Sequence, residues 1–211
     1  MENTLAAFRL AIEEGADGVE LDVRATRDGQ VVVFHDRDLA RLAGDPRAVA
    51  ELDRGELPSV GGAPIPTLDE VLDLVLGAGL EVNVEIKAGS AACGEVLAAR
   101  APDELSRIVV SSFHAPALAT CRRAVPTVRT AFLFERAEDV PPAVLAEIQG
   151  VHPHFPACSE AQVAAWRERG LFVNVWTVND PSVARSLAAM QVDGLVTDEV
   201  PTVRGACEMR S

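Results

Sequence analysis

Short runs rich in β-branched residues alternate with longer amphipathic or Ala-rich segments along the chain. The runs predict strands over 18–26, 31–35, 81–87, 107–113, 128–134, 150–155, 171–178 and 193–198. Several helix starts between them carry explicit signals. Asn3 is placed to cap a helix whose apolar side is Leu5, Phe8 and Ile12, with Gly15 as its stop. Thr67 and Glu70 form a capping box ahead of Val71, Leu72 and Val75, and Ser159 with Gln162 forms another, closed by Gly170. Asp180 followed by Pro181 is a cap with a first-turn proline. Alternation of this kind implies a parallel sheet covered by helices. One connection breaks it. Asp28-Gly29 joins 18–26 to 31–35 by a turn too short for a crossover helix, so 31–35 is expected to run antiparallel as a rim hairpin. Seven parallel strands then remain, one fewer than a (β/α)8 TIM-type barrel requires. The Gly- and Pro-rich stretch 37–66 reads as a large irregular loop, a candidate wall for a pocket.

The polar positions inside two of these strands change the picture. Side chains alternate across a strand, so Val19, Leu21 and Val23 share one face of 18–26 while Glu20 and Asp22 share the other. In 81–87, Val82, Val84 and Ile86 share one face, and Asn83, Glu85 and Lys87 the other. Carboxylates on an inward barrel face repel one another and are poorly solvated, so a hard divalent cation is the natural neutraliser. The plainer reading is a water-facing edge strand, with Glu85 and Lys87 pairing locally; two neighbouring strands with one pattern weigh against it. His35-Asp36, after the apolar run 31–34, is a general-acid candidate. Trp176 reads equally as an apolar wall for an alcohol moiety or as core. His152 and His154 share a strand face without a third ligand nearby and read as a polar pair at a barrel rim.

Composition narrows the partners. The 211 residues suffice for one domain with its own core; 48% are hydrophobic and 24% charged. A net charge of −13 disfavours nucleic acid and anionic membrane surfaces, and means that an anionic substrate needs a local metal or a well-placed Lys or Arg. Cys93, Cys121, Cys158 and Cys207 form no CxxC pair, which argues against zinc and against a disulfide framework and favours a reducing, cytoplasmic setting. No signal peptide and no apolar run of membrane-spanning length is visible, so stable membrane insertion is not expected.

The motifs Glu2-Asn3-Thr4, Glu20-Leu21-Asp22, Thr26 with Asp28-Gly29, His35-Asp36, Pro66-Thr67-Leu68, Glu85-Ile86-Lys87, Trp176-Thr177-Val178-Asn179 and Gly194 to Asp198 fit one pattern in order and spacing. With them the chain closely resembles the glycerophosphodiester phosphodiesterase family over nearly its whole length. The resemblance implies an α/β (β/α)8 TIM-type barrel and a metal-dependent hydrolase that cleaves glycerophosphodiesters to glycerol 3-phosphate and an alcohol. It implies Glu20, Asp22 and Glu85 as ligands of a divalent metal, Ca²⁺ or Mg²⁺. It makes His35 the proton donor to the leaving alcohol, Lys87 a phosphate-facing cation, and Glu2 a support for the metal or a catalytic histidine. Thr197-Asp198 matches a structural Thr-Asp. In the family a first strand ending in His-Arg-Gly precedes the Glu-Asn-Thr, whereas this sequence opens at Met1. The expectation is an N-terminally incomplete single barrel domain, prone to self-association along the open seam. A paralogue that binds metal and phosphodiester without efficient turnover stands as the alternative; a different metal-dependent barrel, such as an isomerase, would need ligands from other strands.

Overall fold

The computed structural model describes residues 1–208. Contacts group the chain into two compact units, Met1–Val110 with Pro116–Val128, and Ser111–Ala115 with Arg129 onward.

The first unit runs α1 (Leu5–Glu13), β1 (Gly18–Ala25), β2 (Val31–Val33), β3 (Asp38–Leu39), α2 (Ala40–Ala43), β4 (Asp45–Ala48), β5 (Ser59–Val60), β6 (Ala63–Pro64), α3 (Leu68–Gly77), β7 (Glu81–Ile86), α4 (Ser90–Ala98) and α5 (Pro102–Leu105). It then takes the start of β8 (Ile108–Ser112) and most of α6 (Ala115–Ala124). β1 pairs in parallel with β7, and antiparallel with β2 through the register Val23↔Val33 and Ala25↔Val31, which is the expected hairpin. Gly29 supplies the positive φ of that turn. The apolar faces read from the sequence are buried: Leu21, Val23, Val82, Val84 and Ile86 all lie in the core. α3 starts with the predicted box, Thr67 Oγ1 accepting from Glu70 N and a Glu70 carboxylate oxygen accepting from Thr67 N. Its buried residues, Leu68, Val71, Leu72, Val75 and Leu76, recur at the spacing of one helix face.

Two expectations for this unit are corrected. The cap of α1 is Thr4, whose side chain accepts from Ala7 N at 3.1 Å; Asn3 stands one residue outside, in the left-handed region with φ 53°. The stretch 37–66 is not an irregular loop. It folds into the ribbons β3–β4 and β5–β6, with α2 and short 3₁₀ turns between them. Leu39, Val49, Leu52, Val60 and Ile65 from this stretch close over Val32 and Phe34 as a small core of their own. Each piece is only two to four residues long, so no hydrophobic period develops in the sequence.

The second unit carries β9 (Arg129–Phe134), β10 (Gly150–Pro153), α7 (Glu160–Glu168), β11 (Phe172–Val175), α8 (Pro181–Ala189), β12 (Gly194–Leu195) and α9 (Val200–Glu208). Its strands stand side by side in chain order, β9-β10-β11-β12, all parallel. Ser159 caps α7, accepting from Gln162 N, which is one half of the expected box, and Asp180 caps α8 with Pro181 in the first turn, as the sequence signals require. Among the described residues no helix is long and apolar enough to cross a membrane.

His152 differs from its expected place at a rim. It is fully buried in the strand layer, its Nε2 3.3 Å from Asn174 Nδ2 and its ring edge-on to Phe172. Burial pushes its pKa down to about 3, so the ring is neutral in the folded protein. An unfolded histidine protonates near pH ~6.5. Between these two values the unfolded chain therefore binds the extra proton, and stability falls as pH drops. By pH ~5 the loss from this one residue is about 2 kcal/mol, at ~1.4 kcal/mol per pH unit. Urea unfolding of a His152→Gln variant between pH ~7 and ~5 is expected to show a flatter pH dependence than the parent; parallel curves would contradict the assignment.

Candidate active site

The β1–β7 register sets Asp22 opposite Glu85 and Glu20 opposite Asn83. Paired residues of parallel strands project to one side of the sheet, so the three carboxylates converge. Glu20, Asp22 and Glu85 each offer an oxygen within 4.8 Å of the other two, with Asp22 and Glu85 buried and Glu20 half-buried. Lys87, two positions beyond Glu85 on the same face, places Nζ 3.2 Å from Asp22 Oδ1 and ion-pairs with Glu85 Oε1. Burial pushes the Glu85 pKa up and Lys87 opposes it. Burial disfavours the Lys87 ammonium, yet the Glu85 and Asp22 carboxylates together hold its pKa above the ordinary value. Three converging carboxylates in a poorly solvated place meet the Lys87 ammonium, with the Arg24 guanidinium also acting on Asp22 and Glu85. An all-oxygen donor set of this kind fits a hard divalent ion, Ca²⁺ or Mg²⁺, better than a soft one.

Asn3 explains how Asp22 is aimed. Its Nδ2 donates to Asp22 Oδ2 at 2.8 Å, and its Oδ1 accepts from Asp22 N at 3.2 Å. The left-handed backbone at Asn3, which asparagine tolerates better than most residues, turns the amide back onto β1. The cap signal read at this position was thus a tertiary clamp.

His35 follows β2 with its side chain exposed, and Nδ1 lies 2.8 Å from Asp36 Oδ1. Arg41 on α2 donates to both Asp36 oxygens, Nε to Oδ2 at 2.6 Å and Nη2 to Oδ1 at 3.1 Å, and also ion-pairs with Glu2. The Arg41 guanidinium holds the Asp36 pKa down at about 2, so Asp36 is anionic across the neutral range. An anionic Asp36 favours the tautomer with hydrogen on Nδ1 and leaves Nε2 facing outward. Glu2 therefore sits at Arg41, three links from His35 by way of Arg41 and Asp36, and is not one of the three clustered carboxylates.

Four residues of this arrangement were not singled out by their motifs: Asn3 as a clamp, Asp36 as the partner of His35, Arg41, and Arg24. Arg24 donates Nε and Nη2 to the His35 carbonyl at 3.0 and 2.8 Å. Its signal was available, since it continues the period-two face of Glu20 and Asp22. Arg41 had none, because its partner Glu2 is 39 positions away.

In the second unit Trp176 is half-buried, its Nε1 donating to the His152 carbonyl at 2.7 Å, with Phe113 edge-on at 5.7 Å and His154 at 4.9 Å. Asn179 Oδ1 accepts from Thr197 Oγ1 and Asp198 N, and its Nδ2 donates to Asp198, so the Thr-Asp pair locks two loop ends together.

Known proteins are similar to this chain as a whole. The model of the glycerophosphoryl diester phosphodiesterase family matches residues 1–202. A glycerophosphodiester phosphodiesterase of Caldanaerobacter subterraneus subsp. tengcongensis is 30% identical over 96% of this chain and 90% of its own. A probable glycerophosphodiester phosphodiesterase 2 of Mycobacterium tuberculosis is 33% identical over 96% of this chain and 83% of its own. Among solved structures, an Oleispira antarctica phosphodiesterase in complex with the product sn-glycerol-3-phosphate superposes with a TM-score of 0.87 at 27% identity, covering 97% of this chain and 90% of that one. The fold class is the α/β TIM-type barrel, and the chain belongs to the glycerophosphoryl diester phosphodiesterase family.

Proposed function

We propose that this protein is a metal-dependent hydrolase that cleaves glycerophosphodiesters to glycerol 3-phosphate and an alcohol. The observation that carries the reading is the convergence of Glu20, Asp22 and Glu85 on one sheet face beside Lys87. Family membership and the product named for the Oleispira structure support the substrate class. Glu20, Asp22 and Glu85 would hold Ca²⁺ or Mg²⁺, and a bound divalent ion supplies electrostatic stabilisation to phosphoryl oxygens. Lys87 offers its ammonium to the phosphate from the same face. In its doubly protonated form His35 would give the departing alcohol the proton on Nε2, while Asp36 accepts from the opposite ring nitrogen. Arg41 fixes Asp36, and Glu2 fixes Arg41, so Glu2 acts as a support for the histidine. Trp176 offers an apolar surface for the glycerol or the alcohol. Such an activity belongs to lipid and glycerol metabolism, and four free cysteines suit a cytoplasmic setting.

³¹P NMR of glycerophosphoethanolamine incubated with the metal-supplemented protein tests this. The diester resonance is expected to convert to that of glycerol 3-phosphate, to stop on chelation and to resume when Ca²⁺ or Mg²⁺ is returned. An unchanged spectrum with either metal, or a rate indifferent to chelator, would overturn the proposal.

A further inference from the structure

The first unit holds a cavity of about 250 Å³, lined by Arg24, Arg37, Glu51 and four alanines. The alanines make its wall small and apolar, so charge within it comes from two guanidiniums and one carboxylate. Glu51 is already committed, its Oε2 accepting from Ala48 N at 2.9 Å as a local cap. The Arg24 and Arg37 guanidiniums repel one another, while Asp22, Asp36 and Glu85 attract Arg24. A guanidinium matches a carboxylate or phosphate in both charge and fork geometry.

The position of the cavity gives that chemistry a use. Arg24 shares a β1 face with Glu20 and Asp22 and is pinned by two donors to the His35 carbonyl. That clamp leaves Nη1 unoccupied by it. Arg37 follows His35 by two residues, and its carbonyl accepts from Val49 N at 3.1 Å, which fixes its backbone at the cavity. Arg24 is therefore tied to the backbone of the residue assigned to protonate the departing alcohol, and Arg37 follows that residue by two positions.

We infer that this cavity receives the alcohol moiety of the diester and selects alcohols that carry an anionic group, with Arg24 and Arg37 as the specificity-determining residues. The inference rests on the phosphodiesterase reading and adds a preference within it.

Glycerophosphoserine and glycerophosphoethanolamine differ by one carboxylate on the alcohol, so the ratio of their kcat/KM values isolates the effect. With the metal-supplemented protein the serine diester is expected to be favoured by about tenfold or more, the scale of one charge-assisted hydrogen bond. Arg37→Ala, at an exposed position, should bring the ratio to within about twofold of unity. Arg24→Gln should do the same, while Arg24→Lys keeps part of the preference. A parent protein with no preference, or a preference untouched in Arg37→Ala, overturns the inference while leaving the phosphodiesterase reading intact. If neither diester is hydrolysed, the phosphodiesterase reading fails. Calorimetric binding of the two diesters then decides: equal affinity in the parent protein overturns the inference, and a serine preference lost in Arg37→Ala supports it.

Discussion

An Asp22→Ala variant is expected to lose at least about 10³-fold in kcat/KM for glycerophosphodiesters. Asp22 is the centre of the site in three ways. It lies opposite Glu85 across the β1–β7 pair, it faces Lys87, and it is the carboxylate that Asn3 aims. Removing it takes away one oxygen of the proposed metal site, the partner of the Asn3 amide, and one of the carboxylates that face Lys87. A divalent ion that stabilises phosphoryl charge supplies several kcal/mol, and ~1.4 kcal/mol corresponds to a factor of ten, so the loss spans about three decades. The fold should survive, because Leu21 and Val23 on the opposite face of β1 are untouched in the core. Steady-state kinetics paired with thermal unfolding separates the two effects. Activity within about tenfold of the parent, in a protein that still folds, would remove Asp22 from the catalytic site.

The second large effect is at His35. In the proposed mechanism Asp36 and Arg41 hold the Nδ1 side and the doubly protonated ring donates from Nε2, so His35→Ala should cost about 10²–10⁴ in kcat for alkyl leaving groups. An aryl ester such as the p-nitrophenyl diester leaves without needing a proton, so its loss should be at least about tenfold smaller. Equal losses on the two substrates would assign His35 to binding rather than to proton transfer.

The parts of this site that lie within single strands were legible in the sequence, because alternation separates two chemically different faces. Glu20 with Asp22 and Glu85 with Lys87 stand where that alternation puts them, and the buried faces behind them are the valines and leucines expected. The capping box of α3 and the hairpin at Gly29 were legible for a similar reason, since their partners lie within a few residues. Contacts made across long separations left no local trace. Asn3 carries the residue type of a helix cap, yet its amide is used 19 positions away on Asp22. His152 looked like a polar rim residue because the Asn174 and Phe172 that enclose it come from another strand. In 37–66 the Gly and Pro content was visible, while the small core that organises the segment is assembled from single apolar residues spaced too irregularly to form a period.

All of these expectations turn on one claim, that Glu20, Asp22 and Glu85 jointly bind a divalent cation. Diffraction from crystals grown with Ca²⁺, with anomalous data collected at long wavelength, tests it most directly. The account predicts one anomalous peak between β1 and β7, bonded at about 2.3–2.6 Å to a carboxylate oxygen from each of the three residues, and no such peak in Asp22→Ala crystals. A calcium peak elsewhere, or a carboxylate cluster occupied only by Lys87 Nζ at saturating Ca²⁺, would contradict it.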